Sequence, residues 1–323
     1  IGPYTLIRRI GAGGMATIWI AEKSDGTLRR QVALKLPISV WARGLAERMR
    51  RERDILASLE HPNIARLYDA GVTEQGRPYL ALEYIDGLPI DAYCQKHRCD
   101  IQARLQLFLQ VANAVSHAHG KLVVHRDLKP DNIMVTPAGE VRLLDFGIAK
   151  LLETDVGDPD ARDSNLTRLG GRALTLDYAS PEQIRAERVT IASDVYSLGV
   201  VLYELLTGRL PYKPRRRSQG AVEEAILEQE PPLASKVAEP PVARVLRGDL
   251  DVILAKALKK RIASRYASVE SFAADVSRYM AGEPVLAQPD STWYRTRKFV
   301  RRNAGAVAAC AAIFLAIGAG SAL

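Results

Sequence analysis

Cysteine is scarce. Cys94, Cys99 and Cys310 are the whole complement in 323 residues, too few and too unevenly placed for a disulfide framework, which fits a reducing compartment. Cys94 and Cys99 flank His97, but a zinc site needs a fourth ligand and usually C-x2-C spacing, so the pair reads as helix packing. No secretory leader is present, and the chain opens at Ile1 rather than at a methionine, so the numbering is expected to begin inside a longer gene product. Excess charge is scarce as well: 45 basic against 37 acidic residues leave +8, and the acid-free run from Ser291 to Asn303 supplies five of those cations, leaving 8 − 5 = +3 for the rest. Nucleic acid is therefore not an expected partner, because such faces need cations clustered on the folded domain. With 47% hydrophobic and 25% charged residues the chain is of ordinary globular composition, and disorder is excluded.

Long apolar runs are missing until the end. Residues 304–323 carry no charge and include nine alanines, and at about 1.5 Å per residue a helix of that length spans a hydrocarbon core of roughly 30 Å. Arg295, Arg297, Lys298, Arg301 and Arg302 precede it with Trp293, Tyr294 and Phe299, the pattern of a cytoplasmic membrane flank. The reading is a single-pass anchor in the cell membrane over 304–323, a basic juxtamembrane linker over 283–303, and everything before it in the cytoplasm. Ala308, Ala312, Ala316 and Gly320 form a small-residue stripe that suggests a homodimer through this helix.

Upstream, the first 85 residues read as strands with one helix. Tyr4, Leu6, Arg8 and Ile10, then Val32, Leu34 and Leu36, alternate at period two, with the turn Ser24, Asp25, Gly26 between them. Beyond residue 88 the pattern turns helical: Leu105, Phe108, Ala112 and Val115 mark one helix, and Val195 to Leu206 is apolar nearly all round, as in a buried one. A small sheet-rich lobe followed by a larger helical lobe is the expected α+β architecture.

Five groups of residues carry chemistry. Gly11, Ala12, Gly13 and Gly14 interrupt two strand-like runs; a plain hairpin turn would use the same residues, as would a loop whose amides face phosphate oxygens. Lys35 lies within the strand Val32, Ala33, Leu34, where a lysine must reach water or meet an anion. Glu52 falls on the apolar stripe of Leu45, Met49, Leu56 and Leu59, so it either reaches sideways to water among Arg48, Arg51 and Arg53 or calls for a cation, of which Lys35 is the natural one. His125, Arg126, Asp127, Leu128, Lys129, Pro130, Asp131, Asn132 and, 18 residues beyond Asp127, Asp145, Phe146, Gly147 each end a short apolar run in acidic turns suited to magnesium and phosphate.

In this order, a Gly-rich loop, a V-A-L-K lysine, a helix glutamate, H-R-D and D-F-G, the chain resembles eukaryotic-type (Hanks-type) serine/threonine protein kinases, and specifically the bacterial membrane-anchored members, over roughly residues 4 to 280. The resemblance implies a bilobal protein-kinase fold, a small antiparallel β lobe with one helix and a larger helical lobe, followed by a single transmembrane helix. The kinase domain would be 1–282, with the small lobe at 1–82, a hinge at 83–87 and the large lobe at 88–282. It implies ATP and Mg2+ as cofactors, with protein serine and threonine hydroxyls as substrates.

The resemblance also implies roles. Gly11, Ala12, Gly13, Gly14, Met15, Ala16 and Thr17 would form the loop over the phosphates, and Ile10, Ile18 and Ala33 would enclose the adenine, whose edge meets the backbone of Glu83 and Tyr84 behind Leu82. Lys35 would hold phosphates with Glu52 fixing it, Asp127 would take the substrate proton beside Lys129, and Asn132 and Asp145 would hold magnesium. Glu182 should pair with Arg265, and Asp194 should support the catalytic loop. Two positions depart from the pattern: Ala16 replaces the third loop glycine, and Leu174, Thr175 stands where the family has G-T. A pseudokinase serving as a tethered binding module is the competing class, but Lys35, Glu52, Asp127, Asn132 and Asp145 are all intact. The acidic segment from Asp145 to Glu182 is expected to be anchored by Arg126 once Thr167, or else Ser164, is phosphorylated.

Overall fold

A computed structural model describes residues 1–12, 16–24, 29–37, 53–54, 57–73, 76, 78–146, 176–213, 218–289, 291–303 and 305. Five antiparallel strands build the small lobe: β1 (Tyr4–Ala12), β2 (Ala16–Ser24), β3 (Arg29–Pro37), β4 (Leu67–Val72) and β5 (Pro78–Glu83), in the order β1-β2-β3-β5-β4. The alternation in the sequence is the cause: Val32 and Leu34 are buried on one face of β3 together with Tyr4, Ala21, Tyr79 and Ala81. Lys35 therefore projects from the opposite face, opposite Ile18 on β2 and Leu80 on β5. Of the helix expected over residues 45–59, positions 53–54 and 57–58 are helical, while Glu52 lies outside the described residues.

The large lobe opens with β6 (Leu88–Pro89), which pairs with β7 (Ile133–Val135) and through it with β8 (Val141–Leu143). A Cβ at Gly87 would stand 2.4 Å from the Val135 carbonyl oxygen, so the connector between the lobes can approach β7 only as glycine. The helices follow as α1 (Ile90–Lys96), α2 (Ile101–Gly120), α3 (Pro181–Ile184), α4 (Ile191–Thr207), α5 (Gln219–Glu228), α6 (Ala234–Val237), α7 (Pro240–Leu246), α8 (Asp249–Ala257), α9 (Val269–Met280) and α10 (Thr292–Arg302). The apolar run at Leu122–Val124 forms no strand: Leu122 is 94% exposed in a left-handed turn with φ 62°.

The core is organised round α4, which is capped by Thr190 and ended by left-handed Gly208 and is buried from Ala192 through Leu206 except at Glu204. α2 packs across it with Leu105, Phe108, Val111 and Val115 fully enclosed, and Phe108 meets Phe272 of α9 at 5.1 Å between ring centroids. One full ion pair lies inside this apolar mass. Arg265 donates from both terminal nitrogens to Glu182, at 2.7 and 2.8 Å, and Ser193 Oγ donates to the same carboxylate at 2.7 Å.

The lobes are fastened by the segment after the small-lobe helix. Ala65 N–H donates to the Leu143 carbonyl, Leu143 N–H donates to Asn63, and the Asn63 amide donates to the Val141 carbonyl at 3.0 Å. β8 is thus tied to the chain that leads into β4.

The expected membrane anchor requires correction. Among the described residues no helix is long and apolar enough to cross a membrane. Positions 304 and 306–323, including the Ala308, Ala312, Ala316 and Gly320 stripe, lie outside the described residues. The basic run read as a membrane flank is α10, and two of its cations meet acids of the protein itself. Lys298 pairs with Asp249 at 2.6 Å, Arg302 pairs with Glu283 at 3.3 Å, and the Tyr294 hydroxyl donates to Asp249 and accepts the Val285 N–H. Asp275 prepares this docking by accepting the N–H groups of Leu286 and Ala287 at 2.7 and 2.8 Å. The transmembrane helix, the membrane as a partner, the helix-mediated homodimer and the single-pass cell-membrane localisation are withdrawn with that reading.

The buried pair sets an acid limit. Burial alone would raise the Glu182 carboxyl, but the Arg265 and Ser193 hydrogen bonds outweigh it and hold the group below its ordinary value. Its contribution is therefore full above the unfolded carboxylate range and is lost as pH falls through the depressed native value. Arg265→Met should cost about 3–5 kcal/mol in urea unfolding and move the onset of acid unfolding to higher pH, followed by circular dichroism.

Candidate active site

The site forms where β3, the loop 123–132 and the segment after β8 converge. Its support is Asp194, in the first turn of α4 and 1% exposed. Its carboxylate accepts the N–H of His125 at 2.8 Å on one oxygen and that of Arg126 at 3.0 Å on the other, and His119 Nε2 meets it at 2.8 Å. Arg126 is held in the left-handed region, φ 68°, which an L side chain adopts only when its surroundings determine it. Gln183 Nε2 donates to the Arg126 carbonyl at 2.8 Å from the other side. The expected support by Asp194 and the expected Glu182 to Arg265 pair are both present.

His125 connects two halves of the site. It is fully buried, and burial lowers its pKa against the nearby carboxylates of Asp194 and Asp127, which pull the other way. Nε2 faces the Leu144 carbonyl at 3.0 Å, and Nδ1 faces the Asp127 N–H at 3.4 Å. A carbonyl requires a proton on Nε2 and an N–H requires a lone pair on Nδ1, so the ring is the neutral Nε2–H tautomer. It packs on Phe146, 4.6 Å between centroids.

From this base the polar side chains converge. Asn132 Nδ2 donates to the Asp127 carbonyl at 2.8 Å and to its Oδ2 at 3.1 Å, and Lys129 Nζ lies 3.0 Å from the same Oδ2. Leu144 N–H donates to the Asn132 carbonyl at 2.8 Å, which brings the next residue, Asp145, beside this group. Asp145 is itself left-handed, φ 41°, and its Oδ1 meets Lys35 Nζ at 3.1 Å across the lobe boundary. A shallow cleft beside Asp127 is lined by Arg126, Leu128, Tyr178, Ala179, Gln183 and Ser197.

The positions read from the sequence are distributed unevenly. Lys35, Asp127, Lys129, Asn132 and Asp145 come together. Gly11, Ala12, Ala16, Thr17, Ile18 and Ala33 lie on β1, β2 and β3, with Gly11 opposite Ile18 and Ala12 opposite Thr17; Ile10 is 42% exposed. Gly13, Gly14, Met15, Glu52, Gly147, Ser164, Thr167 and Thr175 lie outside the described residues. The amide of Glu83 is committed to the Arg66 carbonyl at 2.8 Å, so that group of the connector is taken. Two further contributors were missed: His125 as the link to Leu144, for which the histidine beside Arg126 was the only signal, and Gln183, for which there was none.

The fold and the site now have a counterpart. The sequence profile of the protein kinase domain matches residues 4–276. The chain belongs to the protein kinase family. It is 37% identical over 305 residues to a probable serine/threonine-protein kinase PknB of Bifidobacterium longum, covering 88% of this chain and 41% of that one. It is 35% identical over 280 residues to the serine/threonine-protein kinase PrkC of Bacillus subtilis, covering 85% and 40%. The chain thus spans about two fifths of the length of these relatives. The crystal structure of the Mycobacterium tuberculosis PknI kinase domain superposes with a TM-score of 0.61 at 25% identity, covering 87% of this chain and 96% of that one.

Asp194→Asn leaves one acceptor oxygen and turns an amide N–H towards a backbone N–H. The loss of one charged hydrogen bond, about 1.5–3 kcal/mol, should loosen the His125 and Arg126 amides. Hydrogen exchange at those two amides should accelerate at least ~10-fold, with unfolding of the whole domain less affected.

Proposed function

We propose that this domain transfers the γ-phosphoryl group of ATP to serine and threonine hydroxyls of proteins, with the reacting groups gathered between Lys35 and Asp127. The observation that carries the reading is the convergence of two carboxylates, each with its own lysine: Asp145 with Lys35 and Asp127 with Lys129. Phosphoryl transfer needs little covalent help from a protein; it needs charge neutralisation and an aligned nucleophile.

Each residue has a physical task. Lys35, on a sheet face directed at the lobe boundary, is the cation available to ATP phosphates. Asp127 receives the proton of the incoming hydroxyl; Asn132 orients its carboxylate, and Lys129 steadies the transferring group against the charge it develops. Among the described residues the nearest atom to a Cβ at Gly11 would be 3.7 Å away, on Ile18, so the sheet does not itself require glycine there, in keeping with a ligand approaching the backbone. Ile18 and Ala33 supply apolar surface for a purine, together with Ile10 on the adjoining strand.

Magnesium fits the donors present. Asp145 and Asn132 offer hard oxygen ligands, and among the described residues no cluster of three His, Cys, Asp or Glu side chains could enclose an ion alone. That suits a cation that keeps water and phosphate ligands and uses one or two protein oxygens. When bound, it neutralises phosphate charge. Lys129, two residues after Asp127, is the mark that the family resemblance associates with serine and threonine substrates, in line with the serine/threonine kinases among the relatives. Phosphorylation of Thr167 by the domain itself, with the phosphate docked on Arg126, is the proposed activating step; phosphopeptide mapping that finds 147–175 unmodified in an active preparation would overturn it.

Asp127→Asn should lower phosphate transfer from labelled ATP to a basic protein by about 10²–10⁴-fold, while ATP affinity, read by fluorescent-nucleotide titration, stays within about threefold because Asp127 sits apart from the nucleotide clamp. Lys35→Met should instead weaken nucleotide use. Equal losses of affinity in both variants would place Asp127 in binding and overturn the assignment.

A further inference from the structure

The end of α1 brings two thiols together by backbone geometry. Arg98 is left-handed, φ 48°; its N–H donates to the Gln95 carbonyl at 3.2 Å, and Cys99 N–H donates to the Cys94 carbonyl at 3.0 Å. These two bonds are the 5→2 and 6→1 pair of a Schellman ending, which normally closes with an apolar contact between the residues at its two outer positions. Here those residues are Cys94 and Cys99. The 6→1 bond keeps their α-carbons on the order of 5–6 Å apart, inside the span that a disulfide bridges. Arg104 Nε donates to the Cys99 carbonyl at 2.8 Å and holds this turn in place. Neither thiol is oxidised in the structure; Cys94 is 2% exposed, and Cys99 is partly open to solvent.

We propose that Cys94 and Cys99 are a dithiol modification site, converted by small-molecule disulfides into an intramolecular disulfide that staples the end of α1 to the start of α2. A metal is the poorer reading of the pair. His97, between them in sequence, stacks on Tyr93 at 4.3 Å, and no third ligand faces the thiols among the described residues. α1 packs on α4 and on the 3-10 turn Pro130–Asn132, so the staple would close the end of a helix that touches the turn holding Asn132.

The reaction balances without any other reagent. The accessible Cys99 thiolate attacks one sulfur of a disulfide RSSR, forming Cys99–S–S–R and releasing RS⁻. Cys94 then gives its proton to water, and its thiolate attacks the Cys99 sulfur, forming the Cys94–Cys99 bond and expelling the second RS⁻. Two protein thiols are oxidised, and one small disulfide is reduced to two thiols, which carry the released protons. Burial pushes the Cys94 thiol up to about 12, and a neighbouring Cys99 thiolate adds to the shift, which assigns the first attack to Cys99 and the slower closure to Cys94.

The test uses the full chain carrying Cys310→Ser, so that only two thiols remain. Incubated with glutathione disulfide, it should lose both thiols to a Cys94–Cys99 disulfide peptide, found by non-reducing peptide mass spectrometry, with no glutathione retained. Adding Cys94→Ser should trap one glutathione on Cys99. Glutathione that stays on Cys99 while Cys94 remains alkylatable, or two thiols that persist where Cys99 in the Cys94→Ser chain has been modified, overturns the proposal. The first of these is read without the second variant, so a folding defect in that chain leaves the proposal falsifiable.

Discussion

One buried carboxylate supports the catalytic segment. Asp194 is nearly devoid of water contact and accepts two successive backbone N–H groups, one on each oxygen, with His119 as a third partner. An unpaired carboxylate at this depth would be strongly unfavourable, so the charge and the loop stabilise each other: the loop supplies donors that α4 cannot, and α4 supplies the acceptor that keeps Arg126 in a left-handed conformation. Because α4 is buried along almost its whole length, this acceptor is anchored in the core of the large lobe.

Rigidity spreads outward from that anchor by short links. His125 carries it to Leu144, and Leu144 carries it to Asn132, so the two acid-bearing segments are joined by hydrogen bonds at both backbone and side-chain level. The link to the small lobe is of another kind. Lys35 reaches Asp145 as a partly exposed ion pair, side chains 18% and 30% open, which is weaker and more easily exchanged for a phosphate than the enclosed contacts below it. A firm lower half and an exchangeable upper contact suit a cleft that must admit and release a charged nucleotide.

The large lobe extends past the catalytic core in a way that composition disguised. A run of cations beside an uncharged stretch has a simple reading in terms of membranes, yet Asp249, Asp275 and Glu283 draw this segment onto the protein surface. Charge counts identify an excess; they do not say which acid lies within reach. Trp293 and Phe299 remain exposed on the docked helix.

Much was legible without coordinates. Period-two alternation placed β1 and β3, the three-and-four spacing placed α2, and the near-continuous apolar run placed α4, because these patterns arise from local geometry and burial. The ordered motifs identified the family and named Lys35, Asp127, Asn132 and Asp145. Partnership was legible only where the family resemblance supplied it, as for Glu182 with Arg265; the direct contact of Lys35 with Asp145 joins residues 110 apart, and the neutral tautomer of His125 depends on what stands at each ring nitrogen. The sequence by itself determined which groups are present and which local elements carry them. Only the tertiary structure decided which charges meet, because the partner of a buried or half-buried charge is chosen by desolvation and distance in the folded chain, and neither quantity is written in sequence spacing.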